Sequence, residues 1–120
     1  MRDRYGRAAL GSQGEQLVAR RLEDAGFHIV GRNVRVGRLE IDLVARRGTL
    51  LVFCEVRTRA SRDFVDPIDT IDRAKQQRIR RAALAWIEAT GAQSLEIRFD
   101  AASVIISADE QAVTYYESAF

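Results

Sequence analysis

Two apolar runs joined by a glycine turn constrain the centre of this chain. Leu43-Val44-Ala45 and Leu50-Leu51-Val52-Phe53-Cys54 flank Arg46-Arg47-Gly48-Thr49, the pattern of a β-hairpin folding back on itself. At the far ends of the paired strands stand the acidic clusters Glu40-Ile41-Asp42 and Glu55-Val56-Arg57. With Arg47-Gly48 as the turn, Asp42 comes opposite Phe53, and Glu55 lies further along the same face. Carboxylates gathered in this way repel one another unless positive charge sits among them. A divalent cation is the usual source of that charge.

The surrounding pattern predicts an α/β domain. Ser12-Gln13-Gly14-Glu15 reads as a capping box opening a helix that carries Leu17, Val18, Arg21, Leu22 and Ala25 on one side and ends at Gly26. Residues 27 to 36 read as a strand broken near Gly31-Arg32-Asn33, followed by the hairpin strands 38 to 45 and 49 to 59. Residues 60 to 66 are polar and loop-like. Asp66-Pro67 then suits the start of a second helix, with Asp66 as cap and Pro67 in the first turn. Its inner stripe is Ile68, Ile71, Lys75, Ile79, Ala82, Ala83, Trp86 and Ile87, and Gly91 ends it. Leu95 to Asp100, running on into Val104-Ile105-Ile106, and residues 112 to 116 supply two more strands. The order is α-β-β-β-α-β-β, a mixed sheet flanked by helices.

A chain of 120 residues suffices for one domain spanning 1–120, not two. Its 47% hydrophobic and 30% charged content fits a soluble globular protein. No apolar run approaches the roughly 20 residues of a membrane helix. No signal peptide is evident after Met1-Arg2-Asp3-Arg4, and the single Cys54 fits a reducing cytoplasm. The net charge of +2 excludes a chain that is basic all over. Of its 19 basic residues only Lys75 is lysine, a skew that codon bias explains, so no arginine is functional on identity alone.

Asp42 and Glu55 stand inside apolar strands, where an unpaired buried charge is costly, and this marks them as candidate metal ligands. Mg²⁺ takes one or two carboxylates together with waters and substrate phosphates, and the Val56 carbonyl could add a further oxygen. Glu15 is a third candidate, although a capping box accounts for it without chemistry. Glu40 reads as the partner of a neighbouring arginine. Arg73, Arg78, Arg80 and Arg81 surround Lys75 and are candidates for a DNA backbone, with Lys75, Arg78 and Arg81 foremost; a solvated helix face accounts for them equally. His28 is isolated, so zinc is not expected. Cys54 and Trp86 read as core.

Together Gly11 to Gly26, Arg32-Asn33, Glu40-Ile41-Asp42-Leu43-Val44-Ala45, Leu51 to Arg59, Lys75, Arg98-Phe99-Asp100 and Tyr116-Glu117-Ser118-Ala119-Phe120 resemble the UPF0102 family of YraN-like bacterial proteins. The resemblance implies a restriction-endonuclease-like core, similar to archaeal Holliday-junction resolvases. It implies Glu15, Asp42 and Glu55 as acids holding Mg²⁺ or Mn²⁺, with Arg57 where the family usually has Lys. Leu39 likewise stands where the family usually has Gly. An endonuclease acting on branched or structured DNA is expected, working as a homodimer if it cuts symmetric junctions. The alternative is a non-catalytic nucleic-acid-binding module that kept the fold. Arginine keeps the charge of the missing lysine but cannot give up its proton as a base, which leaves open whether Lys75 reaches the site instead.

Overall fold

The computed structural model describes residues 2–60, 71–93 and 96–120, with side chains from Leu10 onward. The elements run α1 (Arg2–Asp24), β1 (His28–Val36), β2 (Leu39–Arg47), β3 (Leu50–Arg59), α2 (Arg73–Thr90), β4 (Glu96–Ile106) and β5 (Gln111–Tyr116). This is the expected α-β-β-β-α-β-β order. The five strands form one mixed sheet in the order β1-β2-β3-β4-β5, antiparallel except for the parallel β3–β4 pair. A parallel pair cannot be joined by a tight turn, and α2 lies within the connection between β3 and β4.

Alternation along β3 puts a helix on each face. Val52 and Cys54 join Val18, Ala19 and Leu22 of α1, whereas Leu51 and Phe53 join Ala82 and Ala83 of α2, with Trp86 and Ile87 packed alongside. Phe53 meets the Trp86 ring edge-on at 5.8 Å and stacks on Phe99. Trp86 and the buried Cys54 are therefore core residues, as their surroundings in the sequence suggest. Because β3 is covered on both faces, its run from Leu51 to Glu55 is continuously buried. Glu55 is thus carried into the interior by a strand with no solvent side.

Three local expectations are corrected. The hairpin turn is Gly48-Thr49, since Arg47 pairs with Leu50 and Val44 with Phe53. Gly48 takes φ +59° as the first turn residue; a turn beginning at Arg47 would place a side-chain-bearing residue in that conformation. Ser12 caps nothing, because α1 begins at Arg2 and runs straight through it. The glycine after it serves a contact instead. A Cβ on Gly14 would lie 2.0 Å from Thr58 Oγ1, so only glycine lets α1 lie this close to β3.

The third correction concerns α2. Its first residue is Arg73, and Asp72 is the cap, with extended backbone and a side-chain oxygen accepting the Lys75 N–H at 2.8 Å. Asp66, Pro67 and Ile68 lie outside the described residues, as does Leu95. The break expected in β1 is a register shift between Ile29 and Gly31. Both glycine helix ends are as expected, with Gly26 at φ +93° and Gly91 at φ +69°.

Candidate functional site

The site forms where β2 and β3 part. Their ladder reaches Leu43↔Cys54 and goes no further, which leaves the next β3 donor without a backbone acceptor. The Asp42 carboxylate takes that place, accepting the Val56 N–H at 2.8 Å. Continuing the corrected register by one residue brings Asp42 level with Glu55 rather than with Phe53. The acids are closer neighbours than a turn at Arg47-Gly48 implies.

Their proximity is visible in the protonation of Asp42. Burial and then the Glu55 charge push its carboxyl up to about 8, against the lowering effect of the Val56 N–H, and the two carboxyls share a hydrogen bond. Glu55 is only 6% exposed and is held by two cations from different elements. Arg57 Nη2 lies 3.2 Å and Lys75 Nζ 3.4 Å from the same oxygen, Glu55 Oε2. Alternation places residues 53, 55 and 57 of β3 toward α2, and Lys75, two residues into α2, comes down to meet them. Lys75 on the inner stripe is therefore no anomaly: it is the lysine that reaches the acid. Arg57 adds one further feature, a buried Nε with no hydrogen-bond partner among the described residues.

Glu15 approaches from the other helix. It is half-buried, hydrogen-bonds Asn33, and its carboxyl is raised by burial, with Glu40 and Glu55 adding to the effect. It borders a cleft of about 500 Å³ between α1 and β3, lined also by Leu10, Gly11, Val56, Thr58 and Arg59. Asn33, at φ +49°, has a role that spacing alone did not reveal. Its place after Gly31-Arg32, in a strand that otherwise alternates, was the available signal.

Glu40 pairs with Arg35 across the exposed β1–β2 edge at 4.0 Å, as expected. The basic residues of α2 separate: Lys75 is at Glu55, Arg78 and Arg81 line a groove beside Leu39, and Arg80 stacks on Phe99 at 4.7 Å. His28 is exposed at the start of β1.

The donor set can be tested against a divalent cation. Among the described residues no three His, Cys, Asp or Glu side chains gather into a cage. Asp42 and Glu55 form an adjacent pair, with Glu15 close enough to be felt but apart from them. A carboxylate pair whose proton is retained by burial and then by mutual repulsion fits Mg²⁺, which takes few protein oxygens and keeps its waters.

A second polar cluster is structural. Asp100, fully buried on β4, accepts two N–H groups of Arg98, the Tyr115 hydroxyl at 2.5 Å and the Ser118 N–H at 3.0 Å. It ties β4 to β5 and to the residues that follow.

The family model described as "Uncharacterised protein family UPF0102" matches residues 14–104, a span that takes in Glu15, Asp42, Glu55, Arg57 and Lys75. The UPF0102 protein of Nocardia farcinica is 44% identical over 99 residues, covering 82% of this chain and 78% of its own. That of Sorangium cellulosum is 43% identical over 118 residues, covering 95% and 82%. That of Anaeromyxobacter dehalogenans is 42% identical over 118 residues, covering 98% and 88%.

Proposed function

This chain belongs to the UPF0102 family, and we propose that it is a Mg²⁺-dependent endonuclease acting on branched or otherwise structured DNA. The observation that carries the reading is the arrangement around Glu55: Asp42 beside it, and Arg57 and Lys75 both on Glu55 Oε2. Asp42 and Glu55 would hold Mg²⁺, or Mn²⁺ in its place, with Glu15 at the cleft edge. When bound, the ion supplies Lewis-acid stabilisation to a phosphodiester.

The rest is the work of side chains. Arg57, its side chain 28% exposed, would bring its guanidinium fork to a phosphate oxygen. Lys75 places an ammonium at the same Glu55 oxygen and supplies from α2 the lysine that position 57 lacks. Asp42 is oriented by the Val56 N–H and by the hydrogen bond it shares with Glu55.

One observation favours the alternative, a nucleic-acid-binding module without catalysis. Glu55 is already neutralised by Arg57 and Lys75, and an ion pair of this kind is stable without a metal. Titration with Mg²⁺ and Mn²⁺ by calorimetry, alongside cleavage of junction, flap and linear DNAs, separates the readings. Metal binding with cleavage supports the nuclease; DNA binding with neither supports the module. A homodimer is part of the proposal only for symmetric junctions, where each strand cut needs its own site.

A further inference from the structure

The β1–β2 turn and α2 enclose a groove of about 460 Å³, lined by Val36, Arg38, Leu39, Arg78, Arg81 and Ala82. Arg38 comes from the turn; Arg78 and Arg81 follow Lys75 at three-residue steps along α2, about 4.5 Å apart in rise. All three arginines are exposed, and none is ion-paired to a carboxylate among the described residues. Among the described residues the groove lining holds no acidic residue. Three guanidinium groups around one concavity repel each other, so the groove is built for a polyanion supplied from outside.

The lining also restricts what that polyanion is. Val36, Leu39 and Ala82 are aliphatic, and among the described residues no aromatic ring lines the groove. Single-stranded nucleic acid is held by stacking bases on aromatic side chains, and the described lining offers no such platform. A duplex presents its phosphates outward and needs only cations spaced along a channel. We propose that this groove seats the phosphate backbone of a double-stranded DNA arm, held by Arg38, Arg78 and Arg81, and leads it to the Lys75 and Glu55 end of α2. The assignment rests on the nuclease reading and adds to it a sequence-independent duplex contact. Arg80, on the same helix, takes no part, because its guanidinium lies over Phe99.

The test is duplex binding without divalent metal, so that cleavage plays no role. Fluorescence anisotropy with a 30-base-pair duplex in EDTA, across a range of salt concentrations, gives the slope of log affinity against log salt. In Arg38→Ala/Arg78→Ala/Arg81→Ala that slope becomes shallower by about 2.7, roughly 0.9 for each lost phosphate contact, equally for duplexes of different sequence. Arg80→Ala leaves it unchanged. The substituted residues are exposed, and an unchanged circular dichroism melting curve verifies the fold. An unaltered slope in the triple variant overturns the groove while leaving the nuclease reading to its own cleavage assay. A wild-type protein that binds no duplex, or a triple variant that loses only single-strand binding, overturns it as well.

Discussion

Lys75 decides more about this site than any other residue. On the sequence it is an oddity, the single lysine among arginines and a charge on an apolar stripe. In the fold it is the second cation on Glu55, 3.4 Å from the oxygen that Arg57 also holds. Proximity in space, not spacing in sequence, makes the connection, because α2 is separated from β3 by more than ten residues. Lys75→Ala is expected to lower DNA cleavage by about 10²- to 10³-fold, the range for losing one charge-stabilising donor. Arg57→Lys is expected to keep activity at wild-type level or above. Full activity in Lys75→Ala removes the lysine from the mechanism. Asp42 gives a second prediction at this scale. Its carboxyl titrates near 3.8 in the unfolded chain and is raised to about 8 in the fold, so the folded state holds a proton that the unfolded state releases. Stability in the presence of a chelator therefore falls as pH rises from about 4 to about 8, and Asp42→Asn removes this contribution. Melting temperatures measured from pH 5 to 9 check it: the wild-type curve drops relative to the variant, and parallel curves contradict it.

At the scale of elements, the legible parts were those written by local chemistry. Glycine ends of both helices, the order of elements along the chain and the irregularity near Gly31 follow from turn chemistry and apolar periodicity. The errors came where one pattern admitted two local solutions. Arg47-Gly48 and Gly48-Thr49 are both glycine turns, and only the φ demand on the first position separates them. Asp66-Pro67 reads as a helix start, but the extended backbone of Asp72 makes Asp72 the cap of α2. Ser12 to Glu15 satisfies the capping-box pattern, yet α1 continues upstream, so Glu15 loses its ordinary explanation and stands at the cleft. Gly14 allows the close approach to Thr58 that brings it there. Gly14→Val is expected to cost about 1 to 3 kcal/mol by overpacking that contact, measured by urea denaturation. It should also weaken cleavage by moving Glu15, whereas Asp72→Ala costs about 1 kcal/mol and leaves cleavage intact. Equal effects of the two on cleavage contradict the role given to the α1–β3 contact.

Across the whole molecule, the sheet divides its polar work between two places. Asp100 sits fully buried on β4 with every partner supplied by the protein, a closed network that holds β5 and the following residues. Asp42 and Glu55 sit where the ladder between β2 and β3 opens, and there the Asp42 side chain rather than a backbone carbonyl accepts the Val56 N–H. Asp100→Ala is expected to destabilise by about 3 to 5 kcal/mol, because the mostly buried Arg98 would keep only the exposed Glu117, and the Tyr115 hydroxyl and Ser118 N–H would lose their acceptor. The sequence showed Asp42 and Glu55 as charges out of place but could not rank Asp100 beside them, since only packing tells a satisfied buried acid from a strained one. The central claim is that the Asp42–Glu55 pair does metal-dependent chemistry on DNA. Its most direct test is cleavage of a four-way junction, a flap and a linear duplex with Mg²⁺ or Mn²⁺ by the wild type and by Glu55→Gln. The account predicts cleavage of branched DNA that depends on the metal and falls by about 10²-fold or more in the variant; no cleavage of any substrate, or equal cleavage by both proteins, contradicts it.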